Sequence, residues 1–257
     1  FAIPTVIRAE WGNWGREYGI LGFPSGAPSA SPTSGNFTQA FQGGVLTVAN
    51  GVAKLTSTSD PWFSAIVSSP WLGTATGTRT CSLGGGGCYQ PYQNGWVVQS
   101  SAGAAAVPNA VRAEWGNWGR EYGILGFPTG APSANPTSGN YTQAFRGGVI
   151  TVSNNTARLT STTDPWFAAI LASPWLGAST GSQSCTLGNG GCYQTFQNGW
   201  MVKSAAGAFA VPNAVRAEWA NWGREYGILG FPSGAPSADP NSGNYTQKFQ
   251  GGVLTVT

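Results

Sequence analysis

Six glutamates in three copies of one setting are the first candidates for chemistry: Glu10 and Glu17 recur as Glu114 and Glu121 and again as Glu218 and Glu225. Two suitably spaced carboxylates suffice for glycoside hydrolysis, one acting as acid and the other as base or nucleophile. The chain has no histidine and only nine carboxylates in all, so groups that move protons or attack are scarce. A catalytic pair is seldom present three times in one small protein, whereas binding sites commonly are, and a non-catalytic protein is expected. On a helix, Glu10, Asn13 and Glu17 fall along one face with Arg16 beside Asn13. Such a polar rim either pairs between modules or hydrogen-bonds sugar hydroxyls. The ligand-binding candidates are therefore Asn13, Trp14, Arg16 and Glu17, their copies Asn117, Trp118, Arg120 and Glu121, the further copies Asn221, Trp222, Arg224 and Glu225, and the aromatic pair Trp71 and Trp175.

The 12 tryptophans need sorting. Trp11 and Trp62 hold matching slots in two kinds of module, which suits a core position. Trp14 stands where the other kind of module has Ala65, and Trp71 and Trp96 stand where the first kind has Ile20 and Val45. These module-specific rings either fill gaps between unlike neighbours or present flat faces to sugars, with packing favoured because burial of an indole is worth so much.

Cys81 and Cys88, like Cys185 and Cys192, are separated by six residues in a Gly-rich loop. Without histidine and without Cys-x2-Cys spacing a zinc site is disfavoured, so two local disulfides are expected and no metal or cofactor. Disulfides imply an oxidising compartment and hence secretion. A net charge of +3 with no basic run is too little for a nucleic-acid partner, and no window approaches the length of a membrane span.

The elements that must hold these residues follow from internal repetition. The stretch from Arg8 to Pro24 recurs at an offset of 104 residues from Arg112 and again from Arg216, broken only by Ala220 in place of Gly116. A fainter match halves each unit, since Trp11, Leu21, Gly22, Gln39, Phe41 and Gly44 reappear as Trp62, Leu72, Gly73, Gln90, Tyr92 and Gly95. The chain is thus read as one repeat domain of five modules of two types, at 5–56 (A), 57–108 (B), 109–160 (A), 161–212 (B) and 213–257 (A). With 39 Gly and 17 Pro, only short elements are expected. In type A, Ile7, Trp11, Trp14 and Tyr18 follow helical spacing, with Thr5 as N-cap and Gly19 as the left-handed terminator. In type B, Asp60-Pro61 starts a helix and Pro70 stops it. A hairpin follows, Val45–Val48 and Val52–Leu55 through Asn50-Gly51. Residues 1–4, Phe-Ala-Ile-Pro, match Phe209-Ala210-Val211-Pro212 and are read as completing the fifth hairpin. The fold class is therefore α+β, five modules of short helix plus β-hairpin, read as closed in a propeller-like pseudo-fivefold ring, with an open array of modules as the alternative.

The apolar helix with Trp, the following Gly-Ile-Leu-Gly-Phe-Pro and the later Gln-x-Phe-x-Gly-Gly-Val-Leu resemble the LGFP repeat. The likeness is strong in the A modules and weaker in the B modules, where Leu72-Gly73-Thr74-Ala75 and Leu176-Gly177-Ala178-Ser179 depart from the motif. The resemblance implies an exported, cell-wall-associated protein whose repeats hold envelope polysaccharide such as arabinogalactan or the peptidoglycan glycan. A rigid spacer with no ligand is the main alternative. The cysteine loop and the additional tryptophans lie outside the family pattern.

Overall fold

The computed structural model describes residues 1–257, which divide into two compact units, Phe1–Leu159 and Thr160–Thr257. The first unit opens with α1 (Thr5–Asn13) and the antiparallel sheet β1 (Phe37–Phe41), β2 (Gly44–Ala49), β3 (Val52–Thr58), in that order. The β2–β3 turn is Asn50-Gly51, both at positive φ (51° and 75°), as a two-residue hairpin requires. Strand alternation sends Phe37, Gln39 and Phe41 inward from β1 and Leu46 and Val48 inward from β2. Beneath them Ile7 and Trp11 of α1 pack with Leu21, and the Trp11 indole N–H donates to the Gly22 carbonyl at 3.0 Å. That bond satisfies a buried donor and anchors the Leu-Gly turn to the helix.

Two helix-end expectations are corrected. Thr5 is not the N-cap: Pro4 holds that place without a side-chain bond, because a proline ring already fixes φ for helix entry. The left-handed residue is Gly15 (φ 81°), not Gly19 (φ −92°). Gly19 must be glycine for another reason, since a Cβ there would lie 1.6 Å from the Trp14 carbonyl oxygen. Because the helix ends at Asn13, Tyr18 leaves the apolar stripe, sits in a short 3-10 turn, Arg16–Tyr18, and is 93% exposed.

The second module carries α2 (Pro61–Val67) and a sheet of four strands rather than a plain hairpin: β4 (Thr80–Leu83), β5 (Gly87–Tyr92), β6 (Gly95–Ser100), β7 (Gly103–Pro108). The Asp60 carboxylate accepts from Trp62 and Phe63 N–H at 2.9 and 3.2 Å, the expected cap. Trp62, Leu72, Val97 and Ala106 form its core. The added strand β4 exists to carry Cys81, which is bonded to Cys88 of β5.

Module three repeats module one with α3 (Asn109–Asn117), β8 (Tyr141–Phe145), β9 (Gly148–Ser153) and β10 (Thr156–Thr162). The second unit holds α4 (Pro165–Leu171) and the four-stranded sheet β11 (Ser184–Leu187), β12 (Gly191–Phe196), β13 (Gly199–Ser204), β14 (Gly207–Pro212), with Cys185 bonded to Cys192. It continues through α5 (Asn213–Asn221) to β15 (Tyr245–Phe249) and β16 (Gly252–Val256), which form a two-stranded sheet. Residues 1–4 form no strand, so the expected completion of the fifth hairpin, and with it ring closure, is not shown. Instead the Ala2 carbonyl accepts from Gln39 Nε2 at 3.0 Å.

That bond belongs to a series. Gln143, 1% exposed, donates from Nε2 to Ala106 O on β7 of the preceding module (2.9 Å) and to Gly130 O of its own loop (3.0 Å), and Gln247 does the same to Ala210 O and Gly234 O. One amide nitrogen thus ties two modules together, while the Oε1 of the same side chain is buried without a partner. The B-type counterpart Gln90 is half-buried and reaches only Gly77 O and the Tyr92 hydroxyl. Gln143→Ala is expected to lower unfolding free energy by about 1–3 kcal/mol, the cost of leaving buried groups unpaired. Gln90→Ala is expected to cost less, and urea denaturation of both variants measures the difference.

Candidate functional site

Glu10 and its copies are committed to their own helices. In module three Trp118 Nε1 and Asn117 Nδ2 donate to the two oxygens of Glu114 at 2.9 and 3.1 Å, and Leu159 N–H donates to Oε1 at 3.0 Å. Asn13 and Trp14 hold Glu10 in the same way, and Asn221 and Trp222 hold Glu218. The Trp14 ring also meets Phe63 of module two edge-on at 5.2 Å. Asn13, Trp14 and their copies therefore orient a carboxylate, and Trp14 also braces a junction.

Arg120 and Glu121 take part in a different arrangement, which forms where the disulfide loop of module two meets the short turn after α3. Glu121 Oε1 accepts from Gly84 N–H at 3.3 Å, and its Oε2 is buried with no partner. The Tyr122 and Phe127 rings seat on Gly84 and Gly87, where a Cβ would come within 2.7 Å of each ring. Bare glycine backbone is what admits them. Along the same junction Trp96 of β6 stacks on Tyr89 of β5 (centroids 4.4 Å, planes 23° apart), and the guanidinium groups of Arg112 and Arg120 lie over the indole at 4.9 and 5.4 Å. Arg120 holds a left-handed backbone, φ 53°, and Arg16 and Arg224 match it at 54° and 52°. For a non-glycine residue this stores strain on the order of 1 kcal/mol or more.

The second unit repeats these contacts. Glu225 Oε1 accepts from Gly188 N–H at 3.2 Å, Trp200 stacks on Tyr193 at 4.5 Å, and Arg216 and Arg224 lie over Trp200 at 5.1 and 5.4 Å. In module one, Arg16 and Glu17 form the same turn, while Tyr18 and Phe23 stand 93% and 58% exposed.

Trp71 lies elsewhere. It is a wall of two clefts of about 290 and 360 Å³ on the first unit, the smaller lined also by Asn94, Asn109, Thr137, Tyr141 and Asn155. Asn94 Nδ2 donates to the Trp71 carbonyl at 2.8 Å and so fixes the loop that presents the ring. Burial raises the Tyr141 hydroxyl above the ordinary tyrosine range. Trp175 is half-buried and held by the equivalent bond from Asn198 at 2.8 Å.

The sequence candidates thus separate into three settings, a carboxylate clamp, a disulfide-loop junction and an aromatic cleft. Trp71 and Glu121 line different clefts. Sequence reasoning left out Tyr89, Arg112, Tyr141 and the Asn94 and Asn109 amides. The available signal was the recurrence of Tyr89 and Trp96 as Tyr193 and Trp200, in modules whose A-type counterparts of Trp96 are aliphatic. No group of three or more metal-ligating side chains converges.

The family model described as LGFP repeat matches residues 72–123 and 176–227. Each matched segment runs from the Leu-Gly turn of a B module, through its disulfide loop, to the glycine after the Arg-Glu-Tyr turn of the next A module, and so contains the loop and the turn that meet at one junction. No curated protein matches the chain. Among solved structures it is similar to the extracellular domain of a putative one component system from B. thetaiotaomicron, at 11% identity and a TM-score of 0.18, over 86% of this chain and 26% of that one. It is also similar to the extracellular domain of a putative hybrid two component system from the same organism, at 10% identity and a TM-score of 0.17, over 89% and 27%. The chain spans about a quarter of the length of these structures.

Gly87→Ala is expected to destabilise the protein by about 1–3 kcal/mol, since the new methyl meets Phe127 Cζ at 2.7 Å and the Gln99 carbonyl at 3.0 Å. Gly26→Ala, where nothing lies within 4 Å and φ is not positive, should be neutral or slightly stabilising. Denaturant midpoints of the two variants check the contrast.

Proposed function

This chain contains LGFP repeats, and from that premise we propose that it is a non-catalytic, multivalent module that binds cell-wall polysaccharide outside the cell. The observation that carries this reading is the Trp71 cleft, a volume of about 290 Å³ lined by Trp71, Tyr141, Asn94, Asn109 and Asn155 among others. Sugar rings offer apolar C–H faces and a rim of hydroxyls, which an aromatic wall with nearby amides complements. A matching Trp175 gives a second presentation of the same ring, and weak sites in one chain gain avidity when a polymer engages more than one.

Two disulfides support an oxidising, extracellular setting, and no helix is long and apolar enough to cross a membrane. The absence of catalysis is inferred from the carboxylates, because Glu10, Glu114 and Glu218 are held by their own Trp and Asn neighbours. A net charge of +3 without a basic run supports excluding nucleic acid as the partner. A second reading, a rigid spacer without ligand, is favoured by the Trp14–Phe63 contact and by the amide that joins module two to module three.

Affinity electrophoresis in arabinogalactan and in purified peptidoglycan glycan separates the two readings. The binding reading expects retardation in at least one polymer, weakened at least about tenfold in a Trp71→Ala, Trp175→Ala double variant whose circular dichroism is unchanged. Free migration of the wild-type protein in both polymers would favour the spacer.

A further inference from the structure

We propose that each B-to-A junction carries a binding site for an oxyanion substituent, carboxylate or phosphate, of an acidic polysaccharide, built from the paired guanidinium groups over Trp96 and again over Trp200. This site is independent of the Trp71 cleft and of the reading that rests on it.

The argument begins with what stacking does to an arginine. Over an aromatic ring the guanidinium uses its flat face, and the in-plane N–H donors at its edge stay free for fork-like, bidentate recognition of an oxyanion. Trp96 gathers two such groups, from Arg112 at 4.9 Å and Arg120 at 5.4 Å, while Tyr89 stacks on the indole and fixes its plane. Neither guanidinium group forms a salt bridge or a hydrogen bond, and Arg112 Nε is buried without a partner. The carboxylates nearest in sequence are turned elsewhere: Glu114 accepts from Trp118, Asn117 and the Leu159 N–H, and Glu121 accepts from the Gly84 N–H.

Two like charges held on one ring repel each other, and one of them, Arg120, pays with a left-handed backbone. Packing alone would be served as well by an uncharged side chain, yet the whole arrangement recurs at Trp200 with Arg216 and Arg224 at 5.1 and 5.4 Å. An anion relieves the repulsion and satisfies the free donors. A polysaccharide fits better than nucleic acid, because two isolated guanidinium pairs on a chain of net charge +3 do not form the continuous basic track that a phosphate backbone needs.

The test uses the full-length chain in affinity electrophoresis against polygalacturonate, a glycerol phosphate polymer, neutral dextran and single-stranded DNA of matched charge. Retention by either acidic polymer, weakening with added salt, is expected, and which of the two retains it tells carboxylate from phosphate. An Arg120→Gln, Arg224→Gln double variant should bind at least about tenfold more weakly, as removal of charge-assisted hydrogen bonds implies. The Arg120→Lys, Arg224→Lys variant, which keeps the charge and loses the fork, should fall between, with thermal melting showing that both variants are folded. Equal retention in dextran, undiminished binding by the Gln variant, or preference for the DNA would overturn the proposal. Wild-type retention in neutral arabinogalactan without retention in either acidic polymer, or the reverse, tells failure here from failure of the cleft reading.

Discussion

The structure depends on one constraint: a module of about 50 residues cannot bury both faces of its sheet alone, so each must be joined to the next by contacts that also satisfy its backbone. The buried glutamine meets that constraint most economically. Gln143 sits at the centre of β8, where alternation alone would place an apolar side chain, and uses both amide hydrogens, one toward the strand behind it and one toward its own loop. A leucine there would bury as much area and leave two carbonyls unpaired. Because the bond is directional, it also fixes how α3 and β8 meet β7, which a greasy contact would leave free to slide.

Around that bond the B-to-A junction is assembled from residues with complementary deficits. The loop between Cys81 and Cys88 has four glycines in a row and one buried side chain, Leu83, so packing restrains it little and the disulfide adds a restraint. Its bareness then becomes useful, since the Tyr122 and Phe127 rings rest where any Cβ would collide. The Phe of the Leu-Gly-Phe-Pro turn thereby acquires a role beyond its own module. In module five Phe231 is 4% exposed against Gly191, whereas in module one, where no such loop lies against it, Phe23 is 58% exposed.

What was legible in the sequence follows from which forces are local. The Asp60 cap, the Asn50-Gly51 turn and the two disulfides depend on neighbours a few residues away, and residue type and spacing are enough to place them. Trp11 and Trp62 were legible because matching slots in unlike modules point to a shared core. The helix end was not, because Gly15 and Gly19 are both plausible terminators and only the path of the chain shows that one supplies positive φ and the other room beside the Trp14 carbonyl. Strand β1 was read only as a motif, and β4 was hidden in a Gly-rich loop whose pairing register shifts between Thr80 and Leu83. The structure groups the candidate residues differently from the sequence reading. Helical spacing joined Glu121 to Glu114, while the break after Asn117 sent it to the loop of the neighbouring module.

That break explains why one repeated segment serves two ends. Up to Asn117 the chain is a helix whose polar side chains face one another, so Glu114, Asn117 and Trp118 form a closed set with little left for a ligand. Gly119 then reverses the backbone, and Arg120 follows in a conformation that arginine does not favour. Arg16 takes the same conformation in module one, so the turn is local to the segment, and at Arg120 Gly84 and Trp96 hold it from outside as well, the first through Glu121 and the second through the guanidinium itself. A residue held against its preference by two contacts from another module is pre-organised: its charged edge is already oriented, and little side-chain entropy is left to lose when a partner arrives. The same arginine in a relaxed helix would carry the same charge with none of that orientation. The helix half of the motif therefore builds the module and the turn half equips the junction.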